Sequence, residues 1–156
     1  MSVATESMRT RLMRHYINLH PAYHGTGGRV TFIASDWSEV RVQVPLNLRT
    51  RNYVGTIFGG SLYGAVDPMF MLMLIQRLGS QYLVWDKSAS INFIKPGKNR
   101  LYAKFLMPDE EVQTVQHLLE ENHSVDRTYQ VELSDSQGTV CASVEKVIYI
   151  RKKDIK

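Results

Sequence analysis

Hydrophobic positions along the chain change their spacing from helical to alternating and back. Within residues 4–20, Met8, Leu12, Tyr16 and Leu19 recur at helical intervals with arginines opposite, which predicts a first helix. Pro21 stops it, and Tyr23 to Gly28 reads as a turn-rich loop. Arg29–Ser35 and Val40–Leu46 alternate in the manner of strands and form a hairpin about Asp36-Trp37-Ser38-Glu39. Residues 47–58 are a loop that enters a segment of helical length, Ser61 to Gly79, in which the one carboxylate is Asp67. Pro68 follows at once; its ring clashes with the carbonyl of residue 64, and Gly64 there eases the kink. Strands are predicted over Tyr82–Ile94 and, after a Pro96-Gly97 turn, over Arg100–Met107. Asp109–Asn122 opens after Pro108 with acids in its first turn and carries Val112, Val115, Leu118 and Leu119 at helical spacing. Arg127–Ser134 and Thr139–Arg151 close the chain as a hairpin about Ser136-Gln137-Gly138.

A helix that is apolar on nearly every side has to be wrapped, and a single curved antiparallel sheet folded around it meets that requirement. The expected class is α+β, in one domain spanning residues 1–156, with no repeat and no linker. Tyr82–Ile94 has the alternation of a pairing edge, so two sheets can join into one across a dimer.

A lone acid in an apolar helix demands a reason, because an unpartnered buried carboxylate costs several kcal/mol. Either Asp67 lies on a polar seam and accepts hydrogen bonds, or it works as a base or nucleophile in an apolar-walled site. Gly59-Gly60 at the helix start leaves N–H groups unpaired beside the positive end of the dipole, a setting suited to a developing oxyanion. Asp67 follows Gly60 by seven residues, two turns and a rise of roughly 10 Å. Donor and acid on one helix are too far apart to serve one carbonyl. If they share a substrate they come from two copies, and the site predicts a dimer.

Asn52, Phe58-Gly59-Gly60 and Asp67 resemble the pattern of hotdog-fold acyl-CoA thioesterases of the phenylacetate-pathway type. Those proteins carry an Asn, a His-Gly-Gly six residues on, and an acid seven residues after the second Gly. The run from Asp86 through Lys95-Pro96-Gly97 is similar to the strand that follows the helix in that family. Together the two runs resemble a branch known as tetrameric acyl-CoA thioesterase, over about residues 25–150. The resemblance implies a hotdog fold and hydrolysis of an acyl-CoA by a homodimer or dimer of dimers, with no cofactor. Asp67 would be base or nucleophile, and the Gly60 N–H, with Gly59 beside it, would meet the carbonyl oxygen from the other protomer. Asn52 either bonds the loop backbone or meets a substrate carbonyl. Phe58 stands where many relatives have His, which removes one hydrogen-bond donor. The position that orients water or acid in relatives falls near Asp86 to Ser88; Asp86 can instead pair with Lys87 or another neighbour.

Lys95, Lys98 and Arg100 lie just past the strand end, either to meet coenzyme A phosphates or as a solvated turn. Met69, Phe70, Met71, Met73 and Leu74 either line an acyl tunnel or pack the core. A hydratase on the same fold pairs a His with an acid, and no His lies between residues 25 and 116. A non-catalytic acyl or lipid binder, with Asp67 inert, is the remaining alternative.

Net charge is +4 with a pI near 9.2, but the basic residues are scattered apart from Arg151-Lys152-Lys153, so no nucleic-acid partner is expected. The longest apolar run, Met69–Ile75, is too short for a membrane span, and no membrane partner or secretory signal is expected. Cys141 alternates with Val140 and Ala142 as a small core residue, and a lone cysteine fits a reducing cytoplasm. His15, His20 and His24 straddle the end of the first helix without an acid or cysteine beside them, so no metal site is expected.

Overall fold

The structure is a computed structural model that describes residues 4–154. Its elements are α1 (Met8–Leu19), α2 (Pro21–Gly25), β1 (Arg29–Ile33), β2 (Glu39–Val44), α3 (Gly59–Val66), α4 (Met69–Leu78), β3 (Tyr82–Phe93), β4 (Leu101–Leu106), α5 (Asp109–Glu121), β5 (Ser124–Ser134) and β6 (Val140–Lys152). The strands form one six-stranded antiparallel sheet in the order β1-β2-β4-β5-β6-β3. Helices α3 and α4 lie in the curve of that sheet, and the fold is the hotdog.

The core is built from the two periodicities meeting. Leu62, Ala65, Val66, Met69, Phe70, Met73 and Leu74 from α3 and α4 pack against Val30, Ile33, Val40, Val42 and Val44 of the first hairpin. Leu101, Ala103 and Phe105 continue that surface along β4, and Val144, Ile148 and Ile150 along β6. Met69, Phe70, Met73 and Leu74 are therefore core side chains, and Met71 is partly buried beside them. Phe70 stacks on Tyr129, whose hydroxyl reaches Glu111 of α5.

The central helix is interrupted where Pro68 has no N–H to offer the Gly64 carbonyl. Asp67 and Pro68 keep right-handed helical backbone, so α4 resumes at Met69. Close approach of α3 to the first hairpin depends on small residues. A side chain on Gly28 would overlap Ala65, and one on Gly64 would meet Thr26 at 2.7 Å.

One local expectation is corrected: the stretch read as a turn-rich loop from Tyr23 to Gly28 begins inside a short helix, Pro21–Gly25. Pro21 does end α1, but it also occupies the first turn of α2, where a missing N–H costs nothing. The apolar stripe of α1 does not face the core. Ile17 and Thr10 are buried, whereas Met8, Leu12, Tyr16 and Leu19 are 63–75 % exposed. Side-chain bonds fix this face: Asn18 donates to the Val30 carbonyl at 2.9 Å and accepts from the Val30 N–H at 2.8 Å. Arg14 is tied to Glu6 at 2.8 Å, and Ser7 and Thr10 form a reciprocal cap.

Candidate active site

The loop before α3 is braced so that Gly59 opens onto a cavity. Phe58 N–H donates to the Thr50 carbonyl at 2.7 Å, and Ile57 N–H donates to the Gly97 carbonyl at 2.9 Å. Asn52 accepts from the Val54 and Thr56 N–H groups through Oδ1 and donates from Nδ2 to Thr56 Oγ1. Asn52 thus holds the loop backbone. The cavity, about 410 Å³, is lined by Asn52, Thr56, Gly59, Leu62, Phe93 and Lys95 among others. The Gly59 and Gly60 N–H groups have no backbone acceptor among the described residues, as the first turn of a helix dictates. A side chain on Gly59 would strike the Phe93 ring at 2.8 Å, and one on Gly60 would overlap the Phe58 ring. Glycine at both positions lets two rings lie against the helix start.

Asp67 sits two turns on, outside that cavity of its own chain, in a cluster of charges. Its Oδ1 accepts from Lys146 Nζ at 2.5 Å and from the Tyr63 hydroxyl at 2.7 Å. Its Oδ2 has no partner among the described residues, and its side chain is 40 % exposed. Lys146 also lies 3.0 Å from Asp86 Oδ1, although off the hydrogen-bonding angle. One buried ammonium therefore faces two carboxylates and a phenol. Burial alone would push the Lys146 pKa down, but its contacts with Asp67 and Asp86 outweigh that and the net shift is upward. Burial pushes the Asp86 carboxyl up, Lys146 offsets this only in part, and the charge of Asp67 adds to the rise. The Tyr63 hydroxyl is likewise raised, by burial first and then by its bond to Asp67.

Lys146 is the residue that sequence reasoning missed. Its signal was present: β6 buries Ala142, Val144, Ile148 and Ile150 on alternate positions, and Lys146 occupies the same face at 1 % exposure. A lysine at an inward position of an apolar strand calls for an acid opposite it. Asp86 pairs with Lys146, while Lys87 turns outward to Asp126 at 2.6 Å.

Simple alternation would place Ser88 on the same face as Asp86. A bulge at Lys87 prevents this. Asp86 lies opposite Ile148 and Ser88 opposite Val147, so the bulge sends Ser88 to the other face of the sheet and away from Asp67. Phe58 is 57 % exposed at the mouth of α3. Lys95 shares the cavity of Gly59, whereas Lys98 and Arg100 line a separate surface depression with Pro45 and Tyr102. The structure thus collects the sequence-derived residues into two groups, Asn52, Phe58, Gly59, Gly60 and Lys95 at one end of α3 and Asp67 with Asp86 at the other.

A family model matches residues 9–150. The chain belongs to the DUF4442 family, described as a domain of unknown function. No curated protein matches the sequence of this DUF4442 chain. Solved structures share its fold. A protein of unknown function from Pseudomonas aeruginosa, PA5026, described as a probable thioesterase, superposes with a TM-score of 0.84 at 19 % identity, covering 95 % of this chain and 99 % of its own. A protein of unknown function from Chlorobaculum tepidum gives 0.73 at 16 % identity, with 93 % and 95 % covered. The thioesterase HI1161 from Haemophilus influenzae gives 0.67 at 10 % identity, with 97 % and 96 % covered. At such identities the likeness of the DUF4442 chain to these proteins is one of fold.

Proposed function

We propose that this protein is an acyl-CoA thioesterase acting as a homodimer. The observation that carries the reading is the division of the site. An unpaired helix start on a cavity and a carboxylate with one free oxygen lie roughly 10 Å apart along one helix axis, each incomplete alone. A second copy, antiparallel at α3, would bring its Asp67 to this chain's Gly59 and Gly60. The surface around the site suits such a partner: Tyr53, Val54, Phe58, Trp85, Phe93 and Ile94 are all exposed apolar groups. Neighbours of the same fold that carry the name thioesterase add to the case.

In this reading the thioester carbonyl lies against the Gly59 and Gly60 N–H groups, which stabilise its oxygen as charge develops. Oδ2 of Asp67 either takes a proton from an attacking water or attacks the carbonyl carbon itself. The C–S bond breaks and coenzyme A leaves as a thiol, taking its proton from Asp67 in the first course and from water in the second, where a further water then cleaves the Asp67–acyl anhydride; both courses end in the free acid and a restored carboxylate. Lys146 and Tyr63 on Oδ1 fix which oxygen reacts. Lys95 at the cavity rim meets a phosphate of the cofactor portion of the substrate.

One observation favours a second reading, a non-catalytic acyl-CoA binder: Asp67 is already ion-paired to a buried lysine. Release of free thiol from acyl-CoAs of graded chain length separates the two. The wild type is expected to release thiol, and Asp67→Asn to lose at least about a hundredfold in rate. Binding without release by both proteins would establish the second reading.

A further inference from the structure

The outer face of α1 is a second surface with its own chemistry, and it uses none of the residues gathered at Gly59 or around Asp67. Met8, Leu12, Tyr16 and Leu19 form an exposed apolar stripe along a helix about 18 Å long. Arg9 and His20 border the stripe on one side, and Arg11 and His15 on the other, by the helix's angular order. The helix contains no acidic residue. The acid nearest to it in sequence, Glu6, is engaged by Arg14 at 2.8 Å and Arg11 at 3.5 Å. Beside the C-terminal end of the stripe opens a cleft of about 500 Å³ whose lining includes His15, Leu19, Arg29, Arg49 and Arg100, and no Asp or Glu. Among the described residues none of those three arginines is in an ion pair.

We propose that the α1 face rests on an anionic lipid bilayer. Its apolar stripe would enter the boundary between headgroups and acyl chains, its flanking arginines would meet lipid phosphates, and the adjoining basic cleft would extend the cationic footprint.

The charge pattern decides the occupant. A second copy packed stripe on stripe about a two-fold axis would gather the basic borders of both helices, Arg9, His15 and His20, along one seam with no acid on either helix to meet them, Glu6 being already engaged by Arg11 and Arg14. An anionic lipid surface supplies both things that face lacks, negative charge and an apolar medium. Topology leaves the face free as well. Helix α1 packs on β1, which is one edge of the sheet, and β3 is the opposite edge. A dimer joined through β3 would carry its two α1 helices at the far ends of the combined sheet. No helix among the described residues is long and apolar enough to cross a membrane, so the contact is peripheral.

Flotation of the intact chain with vesicles tests this. Vesicles of phosphatidylglycerol and phosphatidylcholine in equal parts should carry the wild type upward at low salt, and pure phosphatidylcholine should not. Raising the salt should release it. Arg9→Gln should weaken binding about fivefold, the contribution of one basic group at an anionic surface. Leu12→Glu, at an exposed position, should weaken it at least about tenfold with an unchanged melting temperature. Leu19→Ser serves as the check if Leu12→Glu alters melting.

Failure of the wild type to float with anionic vesicles at low salt overturns the proposal, as does undiminished binding of both apolar-stripe variants. A higher assembly in sedimentation that Leu12→Glu dissolves, with no vesicle binding, would assign the face to a second copy. A soluble protein captured in a lysate without vesicle binding would count against the proposal in the same way.

Discussion

Lys146 meets two carboxylates and a phenol from a position where solvent cannot help it. Removing the ammonium leaves Asp86 a half-buried carboxylate without its counter-charge, beside the like charge of Asp67. Breaking such a cluster from one side costs more than the intact cluster contributes, because the remaining charges lose their partner and are not rehydrated. Asp67 is partly exposed, and water screens its share. Lys146→Met is therefore expected to lower stability by about 2 kcal/mol in urea unfolding. Adding Asp86→Asn should recover part of that loss, since the neutral amide no longer requires a cation. Non-recovery would mean that Asp86 and Lys146 are not coupled. The cluster shows where residue-level reading stopped. Asp67 drew notice as an acid in an apolar helix, yet its partner lies seventy-nine positions away on strand β6. Spacing along the chain does not carry such a pairing; the face of β6 on which Lys146 falls does.

Elements were legible where one periodicity dominates. The strands, α5 and the long apolar segment fall where alternation or helical spacing puts them, within a few residues. What stayed hidden has one physical cause: periodicity defines a face without saying what the face meets. Helix α1 has a clear apolar stripe, and side-chain bonds from Asn18 to the Val30 backbone hold that stripe outward. A single bulge at Lys87 reverses the alternation of β3, which no count of apolar positions contains. Packing between α3 and the first hairpin gives a prediction at this scale. Gly28 lies against the Cβ of Ala65, so Gly28→Ala should cost about 2 kcal/mol by overpacking. Gly28→Ala with Ala65→Gly should restore much of it, both measured by thermal melting. If the pair proves additive, the two positions do not touch.

At the scale of the whole molecule, β3 is the feature with most left open. It pairs with β6 along one edge through residues from Tyr82 to Phe93, and no strand pairs with its other edge among the described residues. Long unpaired edges invite a partner. If two copies join there about a two-fold axis, Ser88→Asp, on the face of β3 turned away from Asp67, sets a charge near its own copy without touching the Lys146 cluster. Sedimentation should then show a dimer for the wild type and a monomer for the variant. Thiol release should fall with dimerisation, since the carboxylate and the helix start would no longer belong to one site. A monomeric wild type that hydrolyses thioesters would require both groups to act within one chain, which their separation along α3 opposes.

The buried ammonium of β6 also serves as a key for strand alignment. Val144, Lys146 and Ile148 face inward only in one frame against β3 and β5. Sliding β6 by one position would turn either Glu145 or Val147 toward Asp67 and Asp86, confronting two acids with a third or leaving them without a cation. An all-apolar face would tolerate such slippage far better. The same side chain that anchors the carboxylate thus restricts the sheet to a single reading frame during assembly.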